Sequence, residues 1–216
     1  IVIHYTGMQS ERESLARLTN PNSKVSSHLL INKSGKVYKL VDNFRTAWHA
    51  GKSCWGKYKN INKNSIGIEL VNKGHEFGYT NFKKKQITSL IKICKSLIKK
   101  YKIKGKNIVG HSDIAPLRKI DPGEKFPWKI IYKQKIGIWH GENSVKLKML
   151  RNKISNLSLS KFFNYLKKIG YCIEHSNSKE IEKIIKVFQM RFRPELVNGN
   201  LDLECFEIAK SLNNHK

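Results

Sequence analysis

Short apolar runs broken by turn-forming residues open the chain. "IVIHYTG" (1–7) reads as a strand, and "SSHLLINKSGKVYKLV" (26–41) as a β-hairpin turned at Lys33-Ser34-Gly35. "NSIGIELV" (64–71) is a third buried strand and "NIVG" (107–110) another. Between them the period changes. In "NFKKKQITSLIKICKSLIKKYKI" (81–103), Ile87, Leu90, Ile91, Cys94, Leu97, Ile98 and Tyr101 recur every three or four positions, with lysines opposite, which predicts an amphipathic helix. Strands and a long helix in this order predict an α/β domain: a mixed central β-sheet flanked by helices. Beyond about residue 140 strand patterns cease. Leu157–Ile169 closes on Gly170, Ser178–Phe192 closes before Pro194, and Asp202–Leu212 starts from a capping aspartate. They predict a small all-α three-helix module, and divide the chain into 1–145 and 146–216. "NSVKLKMLRNKI" (143–154) is either a linker helix or the module's first element.

Composition changes this picture little. With 216 residues, 39% apolar and 10% aromatic, the chain can build a core and is not a disordered polymer. No apolar run approaches the roughly 18 residues of a membrane span. The chain opens Ile-Val-Ile-His without a methionine, which reads as a trimmed product with any signal or lipid anchor upstream. Net charge is +26, from 42 basic and 16 acidic residues, which raises nucleic acid or another polyanion as a partner. Only seven of the basic residues are arginine, the lysines run from end to end, and no helix-turn-helix or aromatic stacking motif accompanies them. A nucleic-acid role is therefore not expected. Cys54, Cys94, Cys172 and Cys205 form no CxxC pair; Cys94 sits on the apolar helical stripe, and the sequence leaves the pairing open.

Polar residues inside the apolar strands carry the chemistry. His4 ends "IVIH", Glu69 interrupts "IGIEL", and His111 follows "NIVG". A buried strand carboxylate is costly unless it is paired, protonated or facing a cleft. "GHSDIAPLRKIDPG" (110–123) adds Lys119 and Asp121 on a stretch where Gly110, Pro116 and Pro122 forbid a continuous helix. If His4, His111 and Asp121 converge, two imidazoles and a carboxylate make a catalytic zinc set with a fourth position open. Glu69 would then serve as general base and Lys119 as the positive charge for an oxyanion. Taken singly, each has a plainer reading: a strand-end histidine satisfied structurally, an aspartate in a turn, a solvated lysine.

"VIHYTG", "SSHLLINKSGKVYKLV", "AWHAG", "NSIGIEL" and "VGHSDIAPLRKIDPG" together resemble the zinc-dependent N-acetylmuramoyl-L-alanine amidases of type 2, in their AmpD/AmiD branch, which share their fold with peptidoglycan recognition proteins. The resemblance spans about residues 1–130. It implies one Zn²⁺ on His4, His111 and Asp121, Glu69 as catalytic acid/base, and Lys119 stabilising the transition state. The implied reaction cleaves the amide between the lactyl group of muramic acid, or its 1,6-anhydro form, and L-alanine. That chemistry serves peptidoglycan turnover and muropeptide recycling. Leu117 stands where relatives often carry glycine.

Trp48 and His49 of "AWHAG" resemble a cleft-lining motif, so they either touch substrate or pack a loop. Arg118 either holds a stem-peptide carboxylate or pins its own loop. His28 alternates with apolar neighbours and reads as structural; His75, His140, His175 and His215 have no motif support. "LSKFFNYLKKIGYCI", "VFQMRFRPE" and "NGNLD" resemble the three-helix peptidoglycan-binding domain that follows the catalytic domain in the AmiD branch. The partners implied are peptidoglycan or muropeptide fragments, for a monomer placed in the bacterial cell envelope (periplasm or outer-membrane side) rather than the cytoplasm. The alternative from another class is a recognition protein that binds muropeptide without cutting it. Such relatives lose zinc ligands, whereas this chain keeps all three, with Glu69 and Lys119.

Overall fold

The computed structural model describes residues 1–154, 157–174 and 177–214, so that His175 and His215 lie outside the described residues. Five strands, β1 (Val2–Tyr5), β2 (Leu29–Ile31), β3 (Val37–Lys39), β4 (Gly67–Leu70) and β5 (Val109–Gly110), form one sheet ordered β3-β2-β4-β1-β5. β1 runs parallel to β4 and β5, β2 runs parallel to β4, and only β2–β3 is antiparallel. The sheet is mixed, as the pattern predicts. The hairpin turns at the expected place: Asn32 Oδ1 accepts from the Ser34 and Lys36 amides, and Gly35 takes φ 90°. A Cβ on Gly35 would lie 2.7 Å from the Lys85 carbonyl, so glycine also lets the turn press against the long helix.

Register decides which residues meet. Parallel partners point to the same face, and His4, Glu69 and Leu30 are partners across β1, β4 and β2. The alternate residues Ile3, Ile68 and Ile31 face the other way, onto the main core. That core is covered by α3 (Lys84–Tyr101), which buries Ile87, Leu90, Cys94 and Leu97. The opposite face carries a thinner layer. α1 (Glu11–Thr19) packs Leu15 and Leu18 there against Leu30 and Val71. The sequence pattern does not announce α1, because so few of its residues are apolar; its one signal is Ser10, whose side chain caps the Glu13 amide. Short helices α2 (Ile61–Asn64), α4 (His111–Ile114) and α5 (Trp128–Lys133) lie in the connections.

Four helices follow among the described residues: α6 (Ser144–Leu150), α7 (Leu159–Ile169), α8 (Ser178–Phe192) and α9 (Leu203–Asn214). The last three match the predicted pattern closely, with Asp202 Oδ1 accepting from the Cys205 amide at the start of α9. Phe162, Phe188 and Phe192 join the same buried apolar cluster as Trp55, Ile108 and Trp128 of the sheet-bearing part. Gly170 lies so close to Trp55 that a Cβ there would come within 2.5 Å of the indole, and its carbonyl accepts from the Gly56 amide at 2.7 Å.

Two further links are chemical. Cys54 and Cys172, with Cα atoms 5.9 Å apart, form a disulfide across a separation of 118 residues. The Asp113 carboxylate of α4 is buried among the Gly110 amide (2.7 Å), the Tyr171 hydroxyl (2.5 Å) and the Arg191 guanidinium. Arg191 also donates to the Ile108 carbonyl at 3.0 Å and lies 4.4 Å from the centre of the Trp128 ring. A charge buried at 1% exposure needs this pairing, since removing one partner of such a pair strands the other.

The disulfide yields a direct test. Closing so long a loop restricts the unfolded chain, a contribution of about 3–5 kcal/mol. Thiol labelling of the denatured, unreduced protein should modify Cys94 and Cys205 only. Full reduction should lower the melting temperature by several degrees; an unchanged melting curve would mean that the bond contributes nothing.

Candidate active site

The ends of β1 and β5 deliver the first two side chains. His4, one residue before the end of β1, lies on the thinly covered face, and His111 starts α4 directly after β5. Asp121 arrives on the loop after α4, which is tied back by the Ser112 amide donating to the Asp121 carbonyl at 2.8 Å. The result is a compact triangle. His4 Nδ1 lies 3.0 Å from His111 Nδ1 and 3.1 Å from Asp121 Oδ2, and His111 Nδ1 lies 3.2 Å from the same oxygen. All three residues are buried and can hold one metal ion.

Each ligand candidate is held from behind. The carbonyl of Ala50 can only accept, so His111 Nε2 donates to it at 3.1 Å and leaves Nδ1 with its lone pair. His4 Nε2 lies 3.0 Å from His49 Nδ1. The loop bearing His49 and Ala50 is fixed in turn by Asn62 Oδ1, which accepts both backbone amides at 3.1 and 2.7 Å.

The electrostatics follow from burial. His4 is pushed down to about 4, by desolvation and then by the neighbouring His111, which favours the neutral imidazole. Burial alone would raise Asp121, but His111 and His4 override it and hold the carboxylate well below the usual range. Glu69, the register partner of His4, is pushed up to about 8 by burial and by Asp121, with the Lys119 charge pulling the other way. Its Oε2 is sealed from solvent and has no hydrogen-bond partner. An orphaned carboxylate oxygen on the strand beside His4, within electrostatic reach of Asp121, is a group waiting for a reacting partner. Lys119 acts on both His4 and Glu69 electrostatically from the end of the turn after α4.

The remaining candidates part company. Trp48 is 54% exposed and free to meet a ligand. His49 is buried behind His4 instead of lining an open wall. Arg118 donates from Nη2 to the Ala50 carbonyl at 2.8 Å and the Lys52 carbonyl at 3.0 Å, so it holds the loop under His111. His28 is structural: Nδ1 accepts from the Gly67 amide and Nε2 donates to the Arg45 carbonyl. His75 bridges Tyr5 and Glu124 at 2.9 and 3.0 Å. The sequence pattern does not single out Asp113 or Asn62; the signal for Asp113 is the one carboxylate within the buried run "IVGHSDIAP".

This arrangement can be set against known proteins. The family model described as N-acetylmuramoyl-L-alanine amidase, Amidase_2, matches residues 1–124. The chain belongs to this amidase family. AmiD of Escherichia coli K12, named an N-acetylmuramoyl-L-alanine amidase, is 37% identical over an alignment of 226 positions that covers 98% of this chain and 81% of AmiD. The solved E. coli AmiD complex with the substrate anhydro-N-acetylmuramic acid-L-Ala-D-γ-Glu-L-Lys superposes with a TM-score of 0.88 at 36% identity, covering 99% of this chain and 87% of that one. AMPDH3 from Pseudomonas aeruginosa superposes at 0.89 with 32% identity, covering 99% and 90%. The similarity to these amidases thus extends through the C-terminal helices.

Glu69 provides the test of the site's electrostatics. Its folded pKa of about 8 lies above the ordinary 4.5, so the protonated acid is the form that folding favours. The stability this supplies is complete below pH about 4.5 and is lost as pH rises through 8. In the presence of a chelator, the wild type should lose stability from pH 5 to 9 relative to Glu69→Gln. Urea unfolding of both proteins across that range measures it, and parallel pH profiles would count against a perturbed Glu69.

Proposed function

We propose that this amidase is a zinc enzyme that hydrolyses the amide between N-acetylmuramic acid, or its 1,6-anhydro form, and L-alanine in peptidoglycan or released muropeptides, in cell-wall turnover and recycling. One observation carries the reading: two imidazole nitrogens and a carboxylate oxygen meet within 3.2 Å, with Glu69, whose Oε2 has no partner, in register with His4. Tetrahedral neighbours around Zn²⁺ at ligand bonds of about 2.0–2.1 Å stand about 3.3 Å apart, and the triangle comes close to that spacing. A His₂Asp set also suits zinc chemically, leaving a fourth position for water or substrate.

His4, His111 and Asp121 would hold the metal. Zn²⁺, when bound, supplies a Lewis acid that polarises a carbonyl and brings the pKa of water toward about 7. The protein residues then move the protons. Glu69, as a carboxylate, would accept a proton from the attacking water. It passes that proton to the alanine nitrogen as the C–N bond breaks, so the products are the lactyl carboxylic acid and the free amine. Lys119 places its ammonium where negative charge develops on the former carbonyl oxygen. Trp48 offers an exposed ring for the sugar or stem peptide. Arg118 would act on substrate through the loop it holds.

The helices after about residue 145 would hold the glycan polymer, raising the local concentration of the site on insoluble wall without entering the chemistry. The Cys54–Cys172 disulfide supports a working place in the oxidising cell envelope, since reducing cytoplasm does not keep such bonds.

The purified chain should carry about one zinc and release the stem peptide from anhydro-muropeptide. His111→Ala should lose both zinc and activity. Glu69→Gln should keep zinc yet lose at least about a hundredfold in turnover, and Lys119→Ala a comparable factor. A wild type that binds muropeptide tightly and never cuts it would establish the recognition-protein alternative instead. Zinc loss from Glu69→Gln would make Glu69 a ligand.

Polymer binding is separable from cutting. The zinc-loaded, intact Glu69→Gln protein should sediment with insoluble sacculi even though it cannot cleave them. Failure to co-sediment under conditions where the wild type digests sacculi would remove the polymer-holding role.

A further inference from the structure

A metal-binding imidazole must present a lone pair, and a neutral histidine has two tautomers of which only one does so at a given nitrogen. For His111 the Ala50 carbonyl settles the matter. For His4 the partner is another histidine, His49, whose Nδ1 can donate or accept, so the direction must be set further away.

The next group along is Ser65. His49 Nε2 lies 3.2 Å from Ser65 Oγ, and the Ser65 hydroxyl lies 2.7 Å from the Ile61 carbonyl. A carbonyl only accepts, so the single Ser65 hydrogen goes to Ile61. Ser65 Oγ must then accept from His49 Nε2–H. His49 Nδ1 keeps its lone pair and accepts from His4 Nε2–H, and His4 Nδ1 is left bare at the point where it meets His111 and Asp121. The reversed chain would turn the Ser65 hydrogen away from the Ile61 carbonyl and put a hydrogen on His4 Nδ1, facing the other ligands.

We propose that His49 and Ser65 are positioning residues that fix His4 in its metal-binding tautomer, through a one-way hydrogen-bond chain anchored on the Ile61 carbonyl. The inference rests on the reading of His4 as a zinc ligand. It assigns His49 work through His4 in place of contact with substrate.

An independent feature shows that the fold makes room for the chain. The His49 ring lies against Gly67 of β4, where a Cβ would come within 2.5 Å of the imidazole. Gly67 is not in a left-handed conformation, so its lack of a side chain serves this approach and not the backbone. His28 encloses the ring from another side at 5.7 Å between centroids, and its own nitrogens are committed to Gly67 and Arg45. The ring therefore has little freedom, and its two nitrogens meet only His4 and Ser65 among the hydrogen bonds of the described residues.

The experiment measures zinc affinity itself, by competition with a chromogenic chelator on the full chain, beside activity on muropeptide. His49→Phe keeps a ring of similar width but cannot accept, and should bind zinc about 10–100-fold more weakly. His49→Gln, whose amide oxygen accepts from His4 Nε2–H, should restore most of that affinity. Ser65→Ala removes the acceptor that sets the direction of the chain, without touching His4, and should weaken zinc several-fold. Gly67→Ala should do the same by pushing the ring aside. In the zinc-loaded wild type, nitrogen–proton correlation spectra should show His4 carrying its hydrogen on Nε2. If His49→Phe and Ser65→Ala melt like the wild type without metal yet bind zinc equally tightly, the proposal is wrong. If His49→Phe does not fold, Ser65→Ala and His49→Gln decide the question alone. A wild type that binds no zinc would overturn the metal reading instead, which keeps the two failures apart.

Discussion

Two imidazole lone pairs and a carboxylate held within 3.2 Å of one another repel unless a cation or a proton sits among them. Much of the protein's polar interior answers that constraint. His4 is backed by His49, His111 by the Ala50 carbonyl, and Asp121 by a loop stitched to Ser112. Behind these stand Asn62 and Arg118, which hold the loop that supplies both His49 and Ala50. An unfavourable cluster can persist only where the surroundings determine it this thoroughly, and such preorganisation is what a metal site requires.

A second buried charge, on Asp113, ties the site to the C-terminal helices. It lies two residues after His111, and it is neutralised by Arg191 and capped by Tyr171, both from beyond residue 170. The helices therefore do more than hang from a linker: they supply the countercharge for a carboxylate in the turn that carries His111. The disulfide at Cys54 reaches the segment just after the Ala50 loop, and the Cys54 amide donates to the Ile114 carbonyl at 3.0 Å. Cutting the chain near 145 would strand the Asp113 charge and uncover Trp55 and Trp128, so such a fragment would lose stability as well as any polymer-binding surface.

Glu69 shows how one residue can be costly to the fold and useful to the site. Without a metal it is an acid held neutral by burial, with an oxygen that bonds to nothing. Its proton affinity depends on the charge beside it, which a bound dication would change by design of the site and not by movement of the chain. Lys119 tunes the same carboxylate from the opposite sign.

Local pattern alone determined much of this protein. The apolar alternation placed His4 and Glu69 inside buried strands, the 3–4 spacing drew a helix across 81–103, and the motif around His111 and Asp121 pointed to their chemistry. Such signals are legible because side-chain periodicity is a property of consecutive residues. Tertiary structure alone decided that β4 lies beside β1, which makes His4 and Glu69 neighbours across 65 residues of chain. It decided that Cys54 pairs with Cys172 and that Arg191 reaches Asp113. It decided that His49 lies behind His4, against Gly67, a place that only the folded sheet creates. Periodicity tells each element which face to bury, but not against what. That choice is made by packing between segments far apart in sequence, and the lone pairs at the centre of the site meet only once it has been made.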